Sequence, residues 1–114
     1  MGIDVTVVDT RFSGMKKMFV RVAKVFANTG EATLASILEA WDQQDISRFV
    51  IETHGLKSAS LSLGMNELSE MAKDFEMLGK AGDINAIGPK IDAFKAEFID
   101  ALESLKVIIA QFEV

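Results

Sequence analysis

The sequence predicts an all-α protein: an antiparallel four-helix bundle with an additional helix at its N-terminal end. Three observations lead there. Apolar residues recur at intervals of three and four along most of the chain, the period of one helix face. The breaks between these runs are short, which sets sequential helices antiparallel. Nothing reads as a set of paired strands, and there is no repeat or low-complexity segment. With 114 residues, 49% of them hydrophobic, residues 1–114 are expected to fold as one domain around a single core.

Residues 1–12 read as an N-terminal arm. Ile3, Val5, Val7 and Val8 alternate, but no later segment offers a strand partner, so an extended arm lying against the helices is expected. Ser13 is placed to cap a first helix with apolar positions Met15, Met18, Phe19, Val22, Val25 and Phe26, a pattern of threes and fours. Asn28-Thr29-Gly30 ends or interrupts it. A second run carries Leu34, Ile37, Leu38 and Trp41 and stops in Asp42-Gln43-Gln44-Asp45.

Asp45 suits the N-cap of a third helix, whose core stripe reads Ile46, Phe49, Thr53, Leu56, Ser60 and Leu63, with Gly64 at the C′ position. Met65-Asn66 opens a fourth, with Leu68, Met71, Ala72, Phe75 and Leu78, closing in Gly79-Lys80-Ala81-Gly82. Asp83 caps the last and longest run: Ile84, Ile87, Ile91, Phe94, Phe98, Leu102, Leu105, Ile108 or Ile109, and Phe112. Gly88-Pro89 in its second turn should kink this helix or split off a short leading segment.

Composition excludes several classes. No cysteine is present, so neither a disulfide framework nor a thiolate metal site is available, and a reducing, cytoplasmic setting is expected. No apolar run approaches the roughly 18 residues that span a bilayer. The opening Met1-Gly2-Ile3-Asp4-Val5-Thr6 fits the bare acylation pattern, but without a basic cluster beside it the match reads as chance. The net charge of −5 and the lack of a basic cluster disfavour nucleic acid, whose binding needs several phosphates neutralised at once.

The stretch from Thr53 to Gly64 carries the chemistry. His54 is the sole histidine in the chain, and Lys57 follows it by three residues, so in a helix the two lie side by side. An imidazole beside a fixed cation suits a group that takes up an anion and releases it. A metal site is disfavoured, because the neighbours one turn away are Val50, Ile51, Lys57 and Ser58, none of them a carboxylate or second histidine. On the helical wheel His54 lies about 140° from the centre of the core stripe and Lys57 about 70°. His54 therefore stands in solvent or at a groove edge. Gly55, Ser58, Ala59 and Ser60 around it are small, which opens the surface to an approaching protein or simply eases helix packing.

Thr53-His54-Gly55-Leu56-Lys57-Ser58-Ala59-Ser60, with Gly64 ten residues past the histidine, resembles the signature of histidine-containing phosphotransfer (HPt) domains: His-x-Leu-Lys-Gly, two small residues, then a glycine at the same distance. Leu68 to Glu76 followed by Lys80-Ala81-Gly82-Asp83 is similar to the family's Leu…Leu-Glu…Gly-Asp stretch. Leu38-Glu39-Ala40 to Asp45 resembles the segment leading into its phosphorylated helix. The likeness runs from about Asp9 to Ile109. One departure stands out: Ser58 occupies the position where the family usually has glycine.

The resemblance implies that His54 is the phosphoacceptor, that Lys57 offsets the charge of the phosphoryl oxygens, and that Glu76 orients the imidazole from the next helix. Gly64 matches the helix-ending glycine. A carboxylate on Nδ1 would fix the tautomer and leave Nε2 to attack, since imidazole with a reference pKa of about 6.5 is mostly neutral near pH 7. The chain has no Gly-rich phosphate loop and no kinase motif. No cofactor of its own is expected; Mg²⁺ belongs on the receiver domain that donates the phosphoryl group. Expected partners are response-regulator receiver domains and a hybrid sensor kinase, with no nucleic acid and no membrane, the carrier itself being a monomer. Docking should use Ser58, Leu61, Gly64 and Met65, with Phe12 or Met15 if the first helix packs alongside. The alternative is a helical module that docks receiver or other signalling domains without being phosphorylated. A Ser58–His54 nucleophile pair and a cofactor-binding bundle are both disfavoured, for want of a third triad member and of further inward ligands.

Overall fold

The computed structural model describes residues 3–113. Its helices are α1 (Val7–Arg11), α2 (Lys16–Asp42), α3 (Ile46–Ser62), α4 (Asn66–Ala81), α5 (Ile84–Ile87), a 3₁₀ turn (Gly88–Lys90) and α6 (Ile91–Phe112). Among the described residues there is no strand. α2, α3, α4 and α6 form the antiparallel bundle. Each packs on the next around a ring, and α6 returns to α2. The molecule measures 45 × 22 × 21 Å, its length set by α2, which at 1.5 Å per residue reaches about 40 Å.

The core follows the helical stripes. Phe49, Thr53, Leu56, Ser60 and Leu63 are buried along α3, and Leu68, Ala72 and Phe75 along α4. From α6 come Phe94, Phe98, Leu102, Leu105 and Ile109. Aromatic rings thread these together. Trp41 meets Phe49 at 5.9 Å, Phe49 meets Phe75 at 5.5 Å, Phe75 meets Phe94 at 4.8 Å, and Phe98 stacks on Phe26 at 6.2 Å. This chain of rings touches all four bundle helices and closes on α2, each contact adding to the area it buries. The two hydroxyls in the α3 stripe bond back into their own helix: Thr53 Oγ1 donates to Phe49 O at 2.8 Å and Ser60 Oγ to Leu56 O at 2.6 Å. Burying them therefore leaves no orphaned donor.

The expected first and second helices are one. α2 runs unbroken through Asn28-Thr29-Gly30 for two reasons. Thr29 and Thr33 satisfy their hydroxyls on the carbonyls four residues back, at 2.9 and 3.1 Å, so neither competes for the helix backbone. Gly30 is buried, and a Cβ there would run into the Leu102 side chain. This glycine is a point of close approach between α2 and α6, not a break. Continuity also turns the face. Phe19, Ala23, Gly30, Leu34, Ile37 and Ala40 are buried, whereas Met15, Met18, Val22 and Val25 are exposed.

The helix expected N-terminal to the bundle, Met15 to Phe26, is the first half of α2, and a short α1 lies instead inside the segment expected to be extended. Val7 and Val8 point into the core, and adjacent buried residues suit one helical turn better than a half-buried strand. Asp4 N donates to Gly64 O at 2.9 Å and Arg11 to Leu61 O, so this segment clasps the α3–α4 turn. Ser13 and Gly14 adopt positive φ (52° and 75°), and α2 starts at Lys16 with Met15 at the N-cap position and no side-chain cap bond. Ser13 is therefore a turn residue and not a cap. Met1 and Gly2, which open the acylation pattern, lie outside the described residues. Asp83 stands at the N-cap position of α5 but makes no side-chain cap bond, while Asp45 accepts from Arg48 N at 3.2 Å, Gly64 and Gly82 take positive φ, and Gly88-Pro89 splits α5 from α6.

Gly30→Ala should lower stability by about 1–3 kcal/mol through overpacking against Leu102, although alanine favours an open helix by about 1 kcal/mol. Urea unfolding measures it. Leu102→Val beside it should recover part of the loss, since the two sites touch.

Candidate functional site

The site forms where α3 and α4 lie side by side. Two small residues let the helices close up there. Gly79 on α4 sits where a Cβ would be 2.6 Å from Val50 Cγ2, and buried Ser69 donates its hydroxyl to Lys57 O at 2.9 Å. The second contact ties α4 to the α3 turn that carries the lysine.

His54 projects outward from α3, its side chain 61% exposed, as the wheel predicts. Lys57, one turn on, is 29% exposed. Glu76 reaches across from α4 and is all but covered, with 4% of its side chain exposed. Its Oε2 lies 2.7 Å from His54 Nδ1, and its Oε1 accepts from Lys57 Nζ at 2.7 Å. Lys80, four residues further along α4, places Nζ 3.0 Å from Oε2.

A buried carboxylate would ordinarily resist ionising. Here Lys57 and then Lys80 hold the Glu76 pKa down to about 2, with His54 adding to their effect and burial opposing it. Glu76 is therefore a carboxylate at any physiological pH and can only accept hydrogen bonds. In the neutral ring the proton must then sit on Nδ1, which leaves the Nε2 lone pair free.

The structure thus brings His54, Lys57 and Glu76 together. Ser58 and Leu61 are exposed along the same helix. Gly64 and Met65 are not available to a partner. Met65 is packed in the core, and Gly64 is covered by the backbone of Asp4. The N-terminal segment that closes over the α3–α4 turn removes Gly64 from the docking face, and core packing removes Met65. Phe12 is partly covered and lies edge-on to Phe19 at 5.5 Å, while Met15 is exposed.

Two features escaped the sequence reading. Lys80 is a site residue, and its i,i+4 spacing from Glu76 is the signal that points to it. The other is an open apolar groove of about 570 Å³ between α2 and α3. Val22, Val25 and Phe26 form one wall, with Gly55, Ala59 and Leu63 opposite. Its α2 wall includes Val22 and Val25, which the threes-and-fours pattern places in the core and the unbroken α2 turns outward.

The family model of the Hpt domain matches residues 21–106. The chain belongs to the Hpt domain family. Members of this family pass phosphoryl groups from histidine within phosphorelays, in partnership with receiver domains and kinases. Among solved structures, the Hpt domain is similar to the HPT domain of an Hpt sensor hybrid histidine kinase from Shewanella. That match has a TM-score of 0.82 at 16% identity and covers 96% of this chain and 94% of that one. At such identity the likeness speaks for the fold. No curated protein sequence matches this one. Among the described residues no helix of this Hpt domain is long and apolar enough to cross a membrane.

Because the Glu76 pKa is depressed in the folded state, its ion pairs stabilise the fold fully above the unfolded value of about 4.5 and lose that effect as pH falls towards about 2. Glu76→Gln, which cannot ionise, should be less stable than the wild type at pH 7. Across pH 4.5 to 2 the two unfolding midpoints should converge. Parallel curves over that window would show that the pairs contribute nothing.

Proposed function

We propose that this Hpt domain is a stoichiometric carrier in which His54 Nε2 accepts a phosphoryl group from a receiver aspartate and returns it to another. The observation that carries the reading is an exposed imidazole whose Nδ1 faces an ionised carboxylate, with an ammonium group one turn away. The Nε2 lone pair attacks phosphorus as the acyl P–O bond breaks, and that electron pair leaves with the donor aspartate. Nδ1 keeps its proton throughout. The ring gains positive charge as the N–P bond forms, and the Glu76 carboxylate offsets it. Lys57 turns towards the phosphoryl oxygens. In the return step the acceptor aspartate attacks and the neutral ring departs with Nδ1–H in place, ready for another cycle.

Mg²⁺ and the acyl phosphate belong to the receiver. Docking uses the outward face of α3, where Ile51, Ser58 and Leu61 are exposed beside His54, and continues into the apolar groove against α2. Ile51 and Leu61 supply apolar contact on either side of the histidine, which suits a transient interface. The carrier works in the cytoplasm as a monomer, meeting the receiver domain of a hybrid sensor kinase and that of a response regulator in turn.

Incubation with a phosphorylated receiver should give acid-labile, base-stable phosphate on the wild type and none on His54→Gln. Lys57→Gln should still be labelled, but about tenfold more slowly, as expected for loss of one charge-assisted contact. A protein that binds the receiver yet never gains phosphate would instead be a docking module.

A further inference from the structure

Glu76 has two ammonium partners, and they are not equivalent. Lys57 comes from α3, one turn from His54, and holds Oε1 at 2.7 Å. Lys80 comes from Glu76's own helix and holds Oε2 at 3.0 Å, the same oxygen that faces His54 Nδ1 at 2.7 Å. A single lysine would be enough to pair one carboxylate.

The second matters once the ring is loaded. A phosphoryl group brings up to two negative charges, and Lys57, one helical turn from His54 along α3, is placed to turn towards it. Turning to those oxygens takes Lys57 from Oε1, leaving a nearly covered carboxylate with one partner fewer. A buried charge stripped of its partners is strongly disfavoured. Without another cation the carboxylate would either draw Lys57 back or swing out towards water, and in both cases the ring would lose support. Lys80 is 63% exposed on a flexible four-carbon stem, so it can follow the carboxylate without repacking the core. Among the described residues, the other titratable groups paired with Glu76 are His54 and Lys57.

We infer that Lys80 is a positioning residue that holds the Glu76 carboxylate against Nδ1 of the loaded histidine while Lys57 is engaged with the phosphoryl oxygens. The inference rests on His54 being the phosphoacceptor. It separates the two lysines in time: in the empty carrier both serve Glu76, and in the loaded carrier only Lys80 does. Lys80 touches neither the phosphoryl group nor the reacting nitrogen, and acts through Glu76.

The test uses the full chain, ¹⁵N-labelled at histidine, with phosphoramidate as a small donor so that receiver docking plays no part. The N–P bond to His54 forms as the donor's own N–P bond breaks, and the departing nitrogen takes a proton and leaves as ammonia. Lys80→Met should gain phosphate about tenfold more slowly than wild type, the scale of one hydrogen bond to a charged group. Its Nδ1–H signal should survive in the empty protein, where Lys57 still holds Glu76, and broaden by exchange with water in the loaded one. Lys80→Arg should restore both the rate and the signal. A wild-type rate and an undisturbed loaded signal in Lys80→Met would overturn the inference. So would loss of the signal already in the empty protein, since that would make Lys80 a constitutive structural partner. If the wild type takes up phosphate neither from phosphoramidate nor from a phosphorylated receiver, the reading of His54 falls first and this inference with it.

Discussion

One carboxylate governs how this molecule is put together near its reactive face. Glu76 is nearly enclosed yet charged, and a charge in that position must be met by donors from whatever packs against it. α3 supplies two nitrogens, from His54 and Lys57, and α4 supplies the third, from Lys80. Meeting those distances requires the helices to lie close together in a fixed register. Gly79 gives the closeness, and Ser69, bonded to the Lys57 carbonyl, helps set the register. The ring is thus oriented from below by groups that are themselves held, while its upper edge is left bare.

Rigidity on that scale depends on the layer beneath. The rings running from Trp41 through Phe49, Phe75, Phe94 and Phe98 to Phe26 lock the four bundle helices to one another. α2 outreaches α3, and its N-terminal part pairs with the end of α6, where Phe19 meets Phe112 at 5.5 Å and Lys24 pairs with Glu113. α1 closes over the α3–α4 turn beside that overhang. The groove between α2 and α3 is therefore walled by helices fixed at both ends. Such a surface meets a partner largely preformed, and avoids the ordering cost that a loop would incur on binding.

Much of this was legible in the residues. Asp45, Gly64, Gly82 and Gly88-Pro89 marked helix ends because each acts through local chemistry: a side-chain acceptor, a positive φ, a missing N–H. The exposure of His54 and the partial cover of Lys57 followed from helical period alone. What stayed hidden depended on distant partners. Gly30 looks like a break until Leu102 is seen against it. Val7 and Val8 look like part of an extended arm until their burial in the core is seen. Gly64 belongs to the docking face only in the absence of Asp4, which lies over it, and Met65 only while the core around it is unseen. The resemblance points to Glu76 as the group that orients the ring, but its near-complete burial is a property of the pair of helices and of neither one alone.

The bareness of His54 has its own consequence. About three-fifths of its side chain lies open to solvent among the described residues. On the proposed reading, cargo on that nitrogen travels unroofed between one encounter and the next. How long it lasts is then a matter of bond chemistry and neighbouring charge, with no gate to open or shut. A domain made this way is a courier and not a reservoir: it can sustain a signal only while its partners keep meeting it faster than water does.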